Sequence, residues 1–129
     1  MTDRLERLRD FWAHLEPPPF GPFSQLTPLT TGVPGFYYLN PALSWGIDAE
    51  VGIEQAAMYL VDPLEKLLPT IVDFNLINSG MTRFTLGATN VRTGQIRYFD
   101  SKQDKIGLEH VLGSSALPPS FPAVQINGE

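Results

Sequence analysis

Ser114 and Ser115, in the stretch GSSAL, follow His110 at short range, and Asp100 and Asp104 stand a little upstream of that histidine. Hydroxyl, imidazole and carboxylate are the groups from which nucleophilic catalysis is assembled. The pattern around them argues against it. A nucleophile elbow needs a sharp strand-to-helix turn with glycines on both sides of the serine, whereas GSSAL lacks the second glycine and follows a helical pattern. Ser114 and Ser115 therefore read as small residues that let a helix pack closely on a sheet. Asp100, Asp104 and His110 could be drawn together as metal ligands, but their loose spacing across a turn defines no geometry, and a solvated turn is the simpler reading. With no cysteine, and with His14 far from His110, no zinc-site spacing is present. Neither a catalytic, a cofactor nor a metal residue is assigned.

The elements that would position these groups are readable from periodicity. Leu5, Leu8, Phe11, Trp12 and Leu15 recur at helical spacing opposite Arg4, Arg7 and Asp10, with Thr2 or Asp3 able to cap. Residues 16–41 are rich in proline and glycine, so regular structure should stop there. The same segment carries Phe20, Phe23, Phe36, Tyr37 and Tyr38, which a solvated linker would not need; it reads as an irregular cover on something apolar. Asp62-Pro63-Leu64-Glu65 has the chemistry of a helix start, with Asp62 as cap and Glu65 reaching back. Leu64, Leu67, Leu68, Ile71 and Val72 continue its stripe, and Pro69 should kink or end it near Leu68. Thr82 to Asn90 alternates, with Phe84, Leu86 and Ala88 on one face, and Gln95 to Asp100 is a second β-rich run. VRTG between them predicts a hairpin with a bulge at Gly94. A helix over Ile106 to Leu117, stopped by Pro118-Pro119, and a strand over Ala123 to Asn127 complete the order. This is an α/β arrangement with about three strands, all late, in one domain spanning 1–129.

Composition limits the partners. The 129 residues are 43% hydrophobic and 18% charged, with a formal net charge of −5. That balance predicts a packed core and offers no basic face to nucleic acid. The opening MTDRLERLRDFW is charged and periodic, and the longest uninterrupted apolar run, Ala56 to Val61, falls short of a membrane span, so a cytoplasmic location is expected.

The stretch GATNVRTGQIRYFDSKQDKIGLEHVLGSSALPPSFPAVQINGE resembles the later part of bacterial patatin-like phospholipases, in which a hairpin with a Thr-Gly turn leads to a helix reading H-V-x-A-S-x-A-L-P-P-x-F-P-x-V. DRLERLRDFW and DPLEKLLPTIVDFNLINSG are similar to that family's preceding segments, and Gly113 stands where the family pattern has alanine. The resemblance implies part of a three-layer α/β/α domain, lacking the nucleophile-elbow strand, and a serine hydrolase acting on lipid carboxylic esters with a Ser-Asp dyad and no metal. Because the base in that family is a carboxylate, His110 is expected to be structural. The family's serine motif G-x-S-x-G and aspartate motif D-G-G do not occur in this sequence. The chain therefore reads as an internal fragment of the catalytic domain, inactive alone, with both dyad residues outside it. A noncatalytic lipid- or partner-binding module and one half of a split enzyme are the alternatives. Partners expected on this reading are a lipid acyl ester in the complete enzyme, a membrane surface, and further copies of the fragment. The aromatic residues from Phe20 to Tyr38 then have two readings, core cover or the wall of an acyl pocket, with core cover preferred.

Overall fold

The computed structural model describes residues 4–16, 26–44, 52 and 56–129. Its elements are α1 (Arg4–Leu15), α2 (Thr27–Thr30), β1 (Tyr38–Leu39), α3 (Pro41–Ser44), β2 (Tyr59–Leu60), α4 (Asp62–Ile71), α5 (Phe74–Asn78), β3 (Thr85–Thr89), β4 (Ile96–Asp100) and α6 (Leu108–Ser115). The class is mixed α/β. Instead of about three late strands there are two antiparallel pairs, β1 with β2 and β3 with β4.

Two apolar clusters organise these elements. Val61, Leu64, Leu68 and Leu112 form the first, with Phe11, Phe36, Tyr37 and Phe121 packed against it. Phe99, Ile106 and Ile126 form the second, joined by Ile77, Leu86 and Ala88. Helix α6 stands between them and contributes Leu112 to one side while resting on β3 at the other.

In the described part of 16–41, Phe36 and Tyr37 pack against the first cluster, and regular structure does not stop there. Val33 and Tyr37 bridge across a tight turn, β1 follows, and α2 and α3 are each a single turn. Gly32 makes the bridge possible: its φ is +92° and a β-carbon there would lie 2.2 Å from the Tyr37 carbonyl oxygen. The Tyr37 and Tyr59 rings meet edge to face at 4.8 Å, and Phe36 stacks on Phe121 at 5.9 Å. Asn40, buried just after β1, donates to the Ala57 carbonyl at 2.9 Å and accepts the Ala42 N–H at 3.1 Å. A buried amide is satisfied only by such pairing. Phe20 and Phe23, like Thr2 and Asp3, lie outside the described residues.

Helix α4 starts one residue earlier than its composition predicts. The Val61 carbonyl already accepts the Glu65 N–H at 3.0 Å, so Val61 is the cap and makes no side-chain bond. Asp62 instead accepts the Tyr38 hydroxyl at 3.1 Å on Oδ2. Nor does Pro69 end the helix near Leu68; α4 runs to Ile71 and closes with the Val72 N–H on the Leu68 carbonyl at 2.8 Å. Proline removes a single bond here, and the orphaned Glu65 carbonyl belongs to an exposed residue that water can reach. Helix α5, unforeseen in the sequence, is capped by Asp73, which accepts the Leu76 N–H at 3.0 Å.

The hairpin forms as expected but is shorter, Thr85–Asp100 rather than Thr82–Asp100, and its register from Thr85↔Asp100 to Thr89↔Ile96 contains no bulge. Helix α6 covers Leu108–Ser115 rather than Ile106 to Leu117. The strand expected over Ala123 to Asn127 is absent. Ile126 and Glu129 exchange backbone hydrogen bonds across Asn127 (φ 52°) and Gly128 (φ 87°). Asn-Gly is a reversal signal, because both central residues tolerate left-handed backbone, and it prevails over the alternation before it. Among the described residues no helix is long and apolar enough to cross a membrane.

Candidate functional site

Between the hairpin, the end of α6 and the last residues of the chain lies an open groove of about 680 Å³. Each wall has a local cause. The hairpin wall is built by strand parity: the cross-strand pairs Leu86–Phe99 and Ala88–Arg97 share the inner face, while Gly87–Tyr98 and Thr89–Ile96 share the outer one. The loop above it is fixed by Asn90, whose Oδ1 accepts the N–H groups of Arg92 at 2.9 Å and Thr93 at 3.1 Å. Its carbonyl accepts the Gly94 N–H at 2.8 Å, with Gly94 at φ +71°.

The second wall is the last turn of α6. Gly107 is its extended N-cap and has no side chain to offer, so the helix start is held from the other direction: the Gly107 N–H donates to Nδ1 of His110 at 3.0 Å. This is half of a capping box with imidazole in place of glutamate. It places the ring proton of the neutral form on Nε2. Glu109 Oε1 also lies 3.0 Å from Nδ1, but with that lone pair engaged the carboxylate gains no hydrogen bond from the neutral ring. The buried ring meets Phe99 edge to face at 4.7 Å. At the other end the Ala116 N–H closes on the Leu112 carbonyl at 2.9 Å, and the Pro118–Pro119 bond, which is cis, carries the chain away.

The third wall is Val124 and Ile126. Gly113 faces them; a β-carbon there would lie 2.9 Å from the Ile126 Cδ1. Since the opposed atom is the end of a flexible side chain, glycine eases the contact rather than being indispensable.

The groove carries three charged residues, Arg92, Arg97 and Glu129. The Arg97 guanidinium carbon sits 4.8 Å over the Phe99 ring centroid, and its Nη1 is 3.9 Å from Glu129 Oε2. Arg97 was not singled out from the sequence, yet its signal is there: it has the inward parity of Phe99, a position that alternation reserves for an apolar side chain.

The structure does not bring the sequence candidates together as a catalytic set. Ser115 Oγ donates to the Leu112 carbonyl at 3.0 Å, and Ser114 lines the groove without a hydrogen bond to any base among the described residues. His110 is occupied at the start of α6. Asp100 and Asp104 close a turn: Asp104 Oδ2 accepts the Asp100 N–H at 2.9 Å, and Asp100 accepts from Arg83 Nε at 2.8 Å and from the Lys102 N–H at 3.0 Å. The Arg83 guanidinium, and next the Lys102 N–H, hold the Asp100 carboxyl below the usual carboxylate range. Among the described residues no three His, Cys, Asp or Glu side chains converge as metal ligands. Phe36 and Tyr37 cover the first core cluster, and neither they nor Tyr38 line the groove. What the groove offers chemically is apolar area beside a guanidinium, which suits binding. No protein-family model, curated protein or solved structure matches the chain.

Proposed function

We propose that this chain supplies part of the catalytic domain of a patatin-like lipid acyl hydrolase and that its groove belongs to the acyl-binding side of that domain. The supporting observation is the groove itself, an open cleft of about 680 Å³ with Ala116, Leu117, Val124, Ile126 and Phe99 along it. Ligand clefts of roughly 300–1,000 Å³ with apolar walls are the common form of small-molecule sites. The dense motif resemblance over Gly87 to Glu129 supplies the reaction class.

On this reading a serine hydroxyl from outside these residues attacks the lipid ester carbonyl. Its proton passes to the dyad aspartate and the alcohol leaves; water then attacks the acyl-enzyme, freeing the fatty acid and restoring the serine. The 129-residue sequence contributes neither serine motif nor aspartate motif to that chemistry; its part is a wall for the acyl chain within a three-layer domain.

Reading the encoding DNA on both sides tests the proposal. An in-frame G-x-S-x-G upstream and D-G-G downstream, with the longer polypeptide hydrolysing short acyl esters and the present chain inactive, is the expected result. Adjacent separate frames carrying those motifs would make it half of a split enzyme. Steady hydrolysis by the present chain that disappears in Ser114→Ala or Ser115→Ala, or the absence of both motifs from the neighbouring DNA, would overturn it.

A further inference from the structure

Arg97 occupies an inner-face position of β4, opposite Ala88, where the strand otherwise presents Phe99 to the core. The guanidinium carbon lies 4.8 Å over the Phe99 ring centroid, and the side chain is half exposed. Among the described residues Glu129 is the one acid whose side chain comes within 4 Å of it. At 3.9 Å, with the glutamate side chain 65% exposed, the pair lies beyond hydrogen-bonding distance. Arg92, on the loop that Asn90 holds, lines the same groove. Two cations, Arg92 and Arg97, thus stand in the groove against the loosely placed Glu129 side chain, in a chain of net charge −5. Alongside run Ala116, Leu117, Val124 and Ile126, which are uncharged and apolar.

We infer that this groove binds an alkyl monocarboxylate: the planar Arg97 fork takes the carboxylate, Arg92 adds positive field, and the Leu117, Val124 and Ile126 wall takes the chain. A guanidinium presents paired donors that match a carboxylate edge, whereas an ester or alcohol of the same length offers no charge to it. Glu129 occupies the position of an internal competitor, its carboxylate standing near the place the ligand's would take. The inference rests on the acyl-site reading above and adds charge recognition to it; the ligand class is that of the acid released by ester hydrolysis.

The test is calorimetric titration of the present chain with decanoate, decanol and decyltrimethylammonium below their micelle concentrations, with backbone amide shifts locating the site. Decanoate binds saturably and moves Arg97, Leu117, Val124 and Ile126, and decanol binds about tenfold more weakly, as expected for one charge-assisted pair. Arg97→Gln removes the preference, Arg97→Lys keeps part of it, and Glu129→Gln strengthens decanoate binding, each with an unchanged far-ultraviolet circular dichroism spectrum. Equal binding of decanoate and decanol, or a preference that survives Arg97→Gln, overturns the inference and leaves the acyl wall standing. Absence of saturable binding, or shifts confined to α1, overturns the groove as a ligand site altogether. None of these outcomes depends on whether a longer polypeptide is a hydrolase, so the carboxylate inference and the hydrolase assignment fail separately.

Discussion

At the scale of single residues, Asn78 ties the two halves of the second cluster. Its side-chain amide donates to the Ile106 carbonyl at 2.8 Å and to the Phe74 carbonyl at 2.7 Å, and its Oδ1 accepts the Ile106 N–H at 2.8 Å. Ile106 is only 1% exposed, so no water replaces those bonds when the amide is removed. Asn78→Ala is expected to cost roughly 1–3 kcal/mol, the range for stranding a buried polar group, read from urea unfolding. Asp100 gives a pH prediction. Its carboxyl is depressed in the folded state, by Arg83 first and the Lys102 N–H second. That contribution is present above the unfolded value, about 3.9, and is lost as pH falls through the lower folded one. Asp100→Asn should lower the urea midpoint at neutral pH and flatten the loss of stability below about pH 4. Because the Arg83 side chain is largely exposed, added salt should shrink the difference.

Among the elements, the hairpin depends most visibly on one backbone angle. Gly94 holds φ +71° with open space around it, so strain rather than crowding decides what replaces it. Gly94→Ala should destabilise by about 1–2 kcal/mol, the cost of a left-handed β-carbon-bearing residue, and should broaden the amide signals of Val91 to Gln95 first. Helix α1 is the opposite case: its periodicity is clear, yet Leu5, Leu8 and Trp12 remain exposed while Phe11 alone of its stripe joins a core cluster. Most helical stability in proteins comes from packing an apolar face, so α1 should exchange its amides faster than α4 and α6.

For the whole molecule, exposure is spread over several surfaces. The outer face of the hairpin leaves Tyr98 70% and Ile96 61% exposed, Leu117 stands open at the groove, and the α1 stripe adds to them. Burying one large apolar side chain is worth about 1.5–3 kcal/mol against a usual folding margin of about 5–15 kcal/mol. Several uncovered at once favour self-association and a low melting temperature. Sedimentation of the present chain should show mass rising with concentration, and on the hydrolase reading proposed above a longer polypeptide carrying G-x-S-x-G and D-G-G should be monomeric and melt higher. A monomeric, cooperatively melting chain of equal stability would count against the fragment reading.

The hairpin, α4 and α6 were legible in the sequence because each rests on local signals: strand alternation with a Thr-Gly connection, a stripe at helical spacing, and a proline pair that no helix crosses. The mixed α/β class follows from them. Local signals also misled where two competed. At Asp62 the cap chemistry lost to a helix that had begun at Val61, and after Val124 the Asn127-Gly128 reversal prevailed over a short alternating run. Tertiary structure alone decided that Phe36 and Tyr37 close a core with Phe121 and that the His110 ring meets Phe99. It alone set Arg97 in one groove with Val124 and Ile126. Those contacts join residues far apart in the chain, and periodicity records which face a side chain takes but not which distant face it meets.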